Sequence, residues 1–273
     1  MKIENRIITN PMSKGKLGKT IVLEALTNWI NGYEIPWSGS DLDDRHNTFS
    51  GRHPEEVRTY KLGNELEAKN ELLKIFRAII KAKHPMHIID TRAQADELIM
   101  SAIDELEFFL RCEEEKMKMT FLLFPTDDNE SMKNLTSIIE KSAESVDYVV
   151  CLNPSINKSE MYLGSKLQST LLQLGAKEIV IPAITPITLM ALEKAENHEQ
   201  RGISFAEAAS GGVKGFDRML AGELSQWLQK LSLQFDSMAS LLLPDDLAKK
   251  VKPAAQVEEK KKKKLDLSLN IAD

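Results

Sequence analysis

Eight residues near the N-terminus, Ser13-Lys14-Gly15-Lys16-Leu17-Gly18-Lys19-Thr20, constrain this 273-residue chain more than any other segment. The apolar pair Ile7-Ile8 precedes them and an apolar helical pattern follows from Ile21, which predicts a strand, a loop and a helix in succession. The N–H groups of such a loop and the positive end of the helix dipole favour the binding of phosphate oxygens. The common phosphate-loop pattern G-x-x-x-x-G-K-[ST] has a glycine where this chain has Ser13, so a basic loop that binds no phosphate stays open as an alternative.

Two later segments favour the phosphate interpretation. The first, residues 40–50, is called the switch segment here and contains the spaced aspartates Asp41 and Asp43. The second, residues 85–91, is an apolar strand that ends at Asp90. An aspartate in that position can hold magnesium, so Asp90 is a predicted metal residue. Of the two aspartates in the switch segment, Asp43 is the candidate for orienting an attacking water, and Asp41 is predicted to be structural. Taken separately, each segment is also compatible with a solvated acidic turn.

With these three segments the chain resembles the ParA/MinD family of P-loop ATPases. The family's loop reads K-G-G-x-G-K-[ST], and residues 14–20 match it except at Lys16. A lysine in place of that glycine either adds a phosphate contact or strains the loop, and both readings stay open.

The other matching motifs lie further along the chain. Residues 41–47 resemble the family's D-x-D-P-x-x-N switch, with Asp44 in place of proline. Residues 88–91 resemble its I-I-D-T-P-P segment, although Arg92-Ala93 replace the two prolines. Residues 149–154 resemble its late strand, which ends in an asparagine near the adenine. The resemblance covers roughly residues 3–235 and is closer to plasmid partition and conjugation accessory proteins than to MinD.

The resemblance implies ATP and Mg²⁺ as ligands. The implied nucleotide-binding residues are Lys14, Gly15, Lys16, Leu17, Gly18, Lys19, Thr20, Ile21, Asn153 and Pro182. The implied metal residues are Thr20, Asp43 and Asp90. Lys19 would reach the β/γ-phosphates, Asn153 would face the adenine edge, and Pro182 would form part of an apolar wall beside the base.

Lys14 and Asp43 are the implied catalytic residues. Lys14 corresponds to the family's signature lysine, which reaches phosphates bound in the other subunit of a dimer. A charge supplied in trans makes dimerisation depend on bound triphosphate. The alternative is an ordinary surface lysine beside the phosphates.

Alternating apolar strands and helical patterns predict an α/β fold. Strands are expected near 6–9, 34–38, 86–90, 119–124, 147–152 and 178–182, and helices near 19–31, 64–82, 94–111, 129–144 and 157–173. Short, almost continuous apolar strands predict a mainly parallel sheet with helices on both faces. After Pro182 the pattern is mainly helical. The predicted organisation is one nucleotide-binding domain, 1–243, with a helical C-terminal subregion, followed by a flexible lysine-rich tail, 244–273.

Composition and charge restrict the partners. Residues 249–273 have eight lysines against four acidic residues, a net charge of +4, whereas the remainder has 28 basic and 37 acidic residues, a net charge of −9. An acidic body does not have the charge of a general nucleic-acid-binding protein, so a non-specific DNA contact would need the tail or the local cluster Arg45, Arg52, Arg58 and Lys61.

Several features indicate a cytoplasmic protein, with association to the nucleoid as an option. The N-terminus lacks a secretory pattern, and the apolar residues near the C-terminus alternate as in a strand rather than in an amphipathic membrane helix, so no membrane anchor is evident. The two cysteines, Cys112 and Cys151, are far apart, which argues against a disulfide framework and an iron–sulfur cluster.

The leading hypothesis is therefore an ATP-dependent homodimer, with hydrolysis that is weak or partner-stimulated. It would position or segregate plasmid DNA, or a conjugation complex, through a DNA-binding adaptor protein. One alternative is a nucleotide-binding scaffold with little or no ATPase activity that acts through protein contacts. A metabolic P-loop enzyme is a third, without a substrate motif to support it.

Overall fold

The computed structural model describes residues 1–12, 14–43, 46–63, 65–81, 84–93 and 95–251. Its centre is a seven-stranded sheet in which every strand pairing is parallel. The strands are β1 (Asn5–Thr9), β2 (Trp37–Asp41), β3 (Val57–Thr59), β4 (Met86–Asp90), β5 (Met117–Leu123), β6 (Val146–Leu152) and β7 (Lys177–Val180). Their order across the sheet is β3-β2-β4-β1-β5-β6-β7.

The strands are joined by helices. These are α1 (Lys19–Gly32), α2 (Thr48–Arg52), α3 (Glu65–Lys81), α4 (Asp96–Glu105), α5 (Phe108–Glu114), α6 (Asn129–Ser142) and α7 (Lys166–Gln173). After β7 the described chain is helical, with α8 (Pro186–Glu199), α9 (Phe205–Ala209), α10 (Arg218–Ser237), α11 (Ala239–Leu242) and α12 (Asp245–Ala248). The predicted α/β class, with a helical C-terminal subregion, is confirmed.

The central strands explain why the sheet is covered on both faces. All five residues of β4 are buried, as are four of the five in β1. A strand that is apolar on both sides needs a covering layer above and below it, which the crossover helices supply. The parallel register then brings the carboxyl ends of β1, β4 and β2 to one edge, with Thr9 paired to Ile89 and Asp41 paired to Asp90.

Arg6 joins the opposite end of β1 to the C-terminal helices. Its side chain is buried and donates to Thr120 Oγ1 at 3.2 Å, to the Ser240 carbonyl at 2.8 Å and to the carboxylate of Asp147. A buried guanidinium is tolerated when its charge is paired, as it is here by Asp147, although the buried Nε of Arg6 has no hydrogen-bond partner among the described residues. Helix α11 is thereby held against the sheet.

The region predicted to begin the tail is part of the packed body. Asp245 and Ile3 exchange two hydrogen bonds, from Ile3 N to the Asp245 carboxylate and from Asp245 N to the Ile3 carbonyl, at 3.0 and 3.1 Å. Val251 is buried. Residues 244–251 therefore belong with the domain, and residues 252–273, which include the predicted lysine cluster, lie outside the described residues.

Three predicted elements differ from the structure, and one strand was not predicted. The helix predicted over 157–173 begins only at Lys166, where the hydroxyl of Ser165 caps it by accepting from Gln168 N. The first strand after α1 begins at Trp37 rather than at 34, because Glu34 has a left-handed backbone (φ 54°) and a proline follows it at 36. The helix predicted over 94–111 ends at Glu105 and restarts at Phe108, since Glu107 is also left-handed (φ 48°). The short strand β3 escaped prediction because only its first residue is buried.

Candidate phosphate-binding site

The loop between β1 and α1 has two residues in the left-handed backbone region. Gly18, which precedes the helix, has φ 89°, and Lys16 has φ 60°. A Cβ at position 18 would lie 2.9 Å from Asn153 Nδ2, so glycine is required there for space as well as for conformation. The loop therefore enters the helix as a phosphate-binding loop does, with the N–H groups of the first turn of α1 at its base.

Lys19 lies inside this loop. Its side chain is only 7% exposed, and Nζ donates to the carbonyl of Met12 at 2.8 Å. Burial lowers the pKa of Lys19, while the nearby charges of Asp90 and Asp43 oppose that shift. The predicted phosphate lysine is thus enclosed, and the charges of Asp90, Asp43 and Asp96 all act on it.

Thr20, the residue after Lys19, is hydrogen-bonded to Asp90. Thr20 Oγ1 donates to Asp90 Oδ2 at 2.7 Å, and Asn10 Nδ2 donates to Asp90 Oδ1 at 3.2 Å. Burial raises the pKa of Asp90 to about 6. A hydroxyl and a carboxylate in contact supply the hard oxygen ligands that Mg²⁺ prefers, so these two residues fit the metal that the loop implies. Within the described ranges, no group of three or more His, Cys, Asp or Glu residues forms a metal cage.

The switch segment is organised around Asp41. Its buried carboxylate accepts hydrogen bonds from Ser50 N at 2.9 Å, Ser50 Oγ at 3.0 Å and Asp43 N at 2.9 Å. Burial raises the pKa of Asp41, and these donors oppose the shift. Asp41 is therefore used within its own segment, while the charge of Asp43 acts on Lys19. The departure at Asp44, together with Arg45, lies outside the described residues.

Lys14 makes a contact that the sequence did not predict. Its Nζ lies 2.5 Å from Asp128 Oδ2 in the same chain, and its side chain is 46% exposed. Asp128 also caps α6, accepting from Ser131 N at 2.8 Å, and it accepts from Thr126 Oγ1 at 2.7 Å. The Lys14 ammonium holds the pKa of Asp128 well below its usual range. Lys14 is thus paired within its own chain.

Lys16, which stands where the resembling family has glycine, has a backbone conformation that is strained for lysine. Its φ of 60° is one that glycine adopts freely and lysine does not, and its side chain is exposed. The loop keeps the backbone conformation that a glycine would favour. The lysine consequently adds local strain and places a cation at the loop surface.

Of the two residues predicted to border the adenine, Asn153 contacts the loop, whereas Pro182 is hydrogen-bonded to α10. Asn153 is buried, and its Nδ2 donates to the Leu17 carbonyl at 3.2 Å, so it braces the loop from the end of β6. Pro182 follows β7 at the sheet edge, where its carbonyl accepts from Trp227 Nε1 at 2.8 Å. In the part of the chain that the structure describes, no hydrogen bond joins Pro182 to the loop. Ile21 lies in the first turn of α1 and packs against the core.

The local basic cluster is smaller than expected. The Arg52 side chain is 11% exposed and forms a bidentate ion pair with Glu196. Arg52 is therefore unsuitable for contacting DNA. Arg58 and Lys61 are exposed. Any DNA contact from this cluster would therefore fall to those two residues and to Arg45, which lies outside the described ranges.

Sequence reasoning missed Asn10, Thr91 and Asp128. Asn10 is fully buried, and its Oδ1 accepts from Thr91 N at 3.2 Å while its Nδ2 holds Asp90. Each of these residues comes shortly after an apolar strand of the parallel sheet. A polar residue in that position was the available signal, because such positions converge at the carboxyl edge.

Comparisons with known proteins give low similarities. No family model matches the chain, and no curated protein matches it. Among solved structures, the septum site-determining protein MinD of Pyrococcus horikoshii, complexed with Mg-ADP, is 16% identical, with a TM-score of 0.44 over 86% of this chain and 97% of that one. The MinC:MinD cell division complex of Aquifex aeolicus is 13% identical, with a TM-score of 0.45 over 83% and 95%.

The signal recognition particle receptor FtsY of Elizabethkingia anophelis is 10% identical, with a TM-score of 0.45 over 68% of this chain. The chain spans only 61% of that FtsY chain. None of these superpositions reaches a TM-score of 0.5, so the function proposed below rests on this chain's own geometry.

The fold and the site together define a class. A glycine-containing loop joins a central strand to a helix N-terminus, beside an aspartate that ends the neighbouring strand, and this is the arrangement of P-loop α/β proteins. Among the described residues, no helix combines the length and apolarity that crossing a bilayer requires.

Proposed function

We propose that this protein binds ATP with Mg²⁺ at the loop of residues 14–20 and acts as a nucleotide-dependent switch. The observation that carries the proposal is the contact between Thr20 Oγ1 and the buried carboxylate of Asp90, next to the enclosed ammonium of Lys19. A hydroxyl, a carboxylate and a lysine at a helix N-terminus are the groups that hold a metal–triphosphate complex. Bound Mg²⁺ would neutralise part of the phosphate charge.

Lys19 is proposed to exchange the Met12 carbonyl for phosphate oxygens. Its present bond at 2.8 Å goes to a neutral carbonyl, and a triphosphate offers a stronger, charged acceptor. Asn153 holds the loop from the side, because its amide donates to the Leu17 carbonyl. Pro182 is proposed to border the base from the end of β7.

Asp43 is the proposed residue for orienting an attacking water. Its backbone is fixed by the bond from its N–H to Asp41, and its charge already acts on Lys19. In this proposal the Asp43 carboxylate faces the terminal phosphate. Turnover is proposed to be weak or partner-stimulated.

The proposed assembly is an ATP-dependent homodimer in which Lys14 reaches phosphates in the partner subunit. For that role Lys14 must leave Asp128, whose pairing with it is half-exposed and therefore worth only about 0–1 kcal/mol. Such a contact is weak enough to be given up for a triphosphate. The proposed output is the positioning or segregation of plasmid DNA, or of a conjugation complex, through a DNA-binding adaptor protein.

Replacing Lys19 tests the nucleotide site directly. Lys19→Ala removes a charge-assisted interaction worth about 1.5–3 kcal/mol, so ATP affinity should fall by roughly ten- to a hundredfold or more. The measurement is a calorimetric titration with Mg-ATP. Lys230→Ala, on the exposed side of α10, is the matched control and should bind as the wild type does. Equal affinity in both variants would show that the loop has been misassigned.

A second candidate is a nucleotide-binding scaffold with little or no turnover. The intramolecular pairing of Lys14 with Asp128 favours it, because in this arrangement the lysine is not offered to a partner. Phosphate release by the purified protein, with and without DNA and a host-cell extract, separates the two. ATP binding without turnover under all these conditions would support the scaffold.

A further inference from the structure

The short helix α2 connects the switch segment to the helical C-terminal subregion. Arg52, the last residue of α2, donates from Nε to Glu196 Oε1 at 2.8 Å and from Nη2 to Oε2 at 3.3 Å. Its guanidinium carbon lies 5.1 Å from the centre of the Phe205 ring, at the start of α9. Glu196 also accepts from Ile203 N at 3.0 Å, so one carboxylate fixes both the switch helix and the connection between α8 and α9.

Glu24 forms a second bridge to the same connection. It lies on α1, the helix that begins at Lys19, and its carboxylate is buried. One oxygen accepts from His53 Nε2 at 3.1 Å and the other from Phe205 N at 3.1 Å. A buried carboxylate is costly unless such donors satisfy it, so α1, the end of α2 and the start of α9 are strongly tied together at this point.

The backbones of α2 and the connection also touch. A Cβ added at Gly202 would lie 2.2 Å from the carbonyl oxygen of Gly51 and 2.7 Å from Arg52 N. Such contacts are far inside van der Waals distance, so only glycine permits the observed approach. A displacement of α2 must therefore displace residues 200–204, or break this contact.

We infer that residues 200–204, called the output connection here, carry the state of the nucleotide site to α9 and α10, with Glu24, Arg52 and Glu196 as positioning residues. The inference rests on the proposed function. Asp41 ties the switch segment to α2 through Ser50, and the three contacts above tie α2 to the output connection. Phe205 then packs on Trp227 of α10 at 5.7 Å between ring centroids. A rigid element held at both ends transmits a shift that a flexible loop would absorb.

A bulkier residue at Gly202, with a matched control at Gly212, tests whether nucleotide binding affects the output connection. Hydrogen exchange is measured for the wild type with and without Mg²⁺ and a non-hydrolysable ATP analogue. Binding should change exchange in residues 46–53 and in 200–209. In Gly202→Ala the change in 46–53 should persist, and the change in 200–209 should be lost. Gly212→Ala, whose added Cβ would meet only Ser210 Oγ at 3.7 Å, should behave as the wild type does.

A second variant keeps the test decisive if the wedge prevents folding. Coupling between two sites is reciprocal, so weakening the output connection must change nucleotide affinity. Glu196→Gln, which removes the charge that holds Arg52, should change the dissociation constant for Mg-ATP by about fivefold or more. Glu193→Gln, an exposed position on the same helix, should leave it unchanged.

The outcomes separate this inference from the proposed function. A wild type that binds the analogue, but shows no exchange change in 200–209, overturns the coupling and leaves nucleotide binding standing. Identical affinities for the Glu196 and Glu193 variants overturn it as well. Failure of the wild type to bind ATP in calorimetry overturns both.

Discussion

At the scale of single residues, Asp90 has the most specific environment in the site. It is 3% exposed, it accepts from Thr20 and Asn10, and burial raises its pKa to about 6. The two hydrogen bonds and the charge of Lys19 favour its ionised form, but they do not outweigh desolvation. A carboxylate held at this cost is expected where a cation is to be bound.

The pKa of Asp90 leads to a prediction about stability and pH. A folded pKa above the unfolded value of 3.8 means that the native state binds the proton more tightly, so this residue's contribution to the free energy of unfolding falls as pH rises from about 4 to about 6. The total decrease should approach roughly 3 kcal/mol, since one pKa unit corresponds to about 1.4 kcal/mol.

Asp90→Asn should abolish that decrease, because an amide does not titrate. Urea denaturation of both proteins without nucleotide, at pH 4.5 and pH 7, checks it. The wild type should lose stability relative to the variant at the higher pH. A difference between the two proteins that does not vary with pH would mean that the Asp90 carboxyl titrates normally.

At the scale of elements, the loop between β1 and α1 combines one required glycine with one strained lysine. Gly18 is fixed by both its backbone angle and its contact with Asn153. Lys16 has a similar positive φ without a glycine's freedom. The helix that follows owes its position to Val22, Leu23 and their buried neighbours rather than to a side-chain cap, since Gly18 at the N-cap has none.

Relieving the strain at Lys16 should stabilise the protein. A left-handed backbone costs a residue with a Cβ about 1–2 kcal/mol, and the greater freedom of an unfolded glycine returns about 0.5–1 kcal/mol of that. Lys16→Gly should therefore exceed Lys16→Ala in free energy of unfolding by about 1 kcal/mol, measured by urea denaturation. The two variants remove the same charge, so equal stabilities would show that the backbone at this position is not strained.

At the largest scale, hydrogen bonds between residues far apart in the sequence join the two ends of the described chain. The N-terminal strand is bonded through Arg6 to the segment after α10, and Ile3 is bonded to Asp245 near the end of the described chain. The C-terminal helices are thus part of the sheet's covering layer rather than an appendage. The ion pair between Arg52 and Glu196 is another contact between distant parts of this domain.

Truncation distinguishes the packed end from the predicted tail. Removing residues 252–273 should leave the melting temperature within a degree or two of the full chain, because no described contact is lost. Removing 244–273 should lower stability by roughly 3 kcal/mol, from two hydrogen bonds and the burial of Val251. Thermal denaturation of the two shortened chains should show a difference of about 5–10 °C. Equal melting temperatures would restore residue 243 as the boundary.

Assembly gives a second prediction at this scale. If Lys14 acts in trans, Lys14→Ala should bind ATP as a monomer but fail to dimerise, whereas Asp43→Ala should stay dimeric because the water-orienting group is lost and the phosphate contacts are kept. Asp128→Asn should dimerise at lower protein concentration, since it frees Lys14 and still caps α6.

Sedimentation velocity with ADP and with ATP measures all three, with Asp104→Asn on the exposed side of α4 as the control. A wild type that remains monomeric in both nucleotides, with DNA and host extract present, would exclude the dimer.

Short-range patterns along the chain were enough to predict the fold class and part of the candidate site. Apolar runs of strand length, alternating with helical periodicity, predict a covered parallel sheet, and the order of loop, switch and aspartate predicts a shared edge. Thr20 and Asp90 could be assigned together in this way, because parallel strands bring their carboxyl ends to one edge whatever the details of packing. Lys16 was recognisable as a departure for the same local reason.

The pairing of residues that lie far apart in the sequence could be read only from the three-dimensional fold. Lys14 meets Asp128 across 114 positions, Asn10 meets Asp90 across 80, and Arg52 meets Glu196 across 144. No periodicity encodes such pairs, since each depends on how helices pack onto the sheet and which rotamers that packing leaves. The same holds for Val251, which is buried although it lies in a lysine-rich stretch of the sequence.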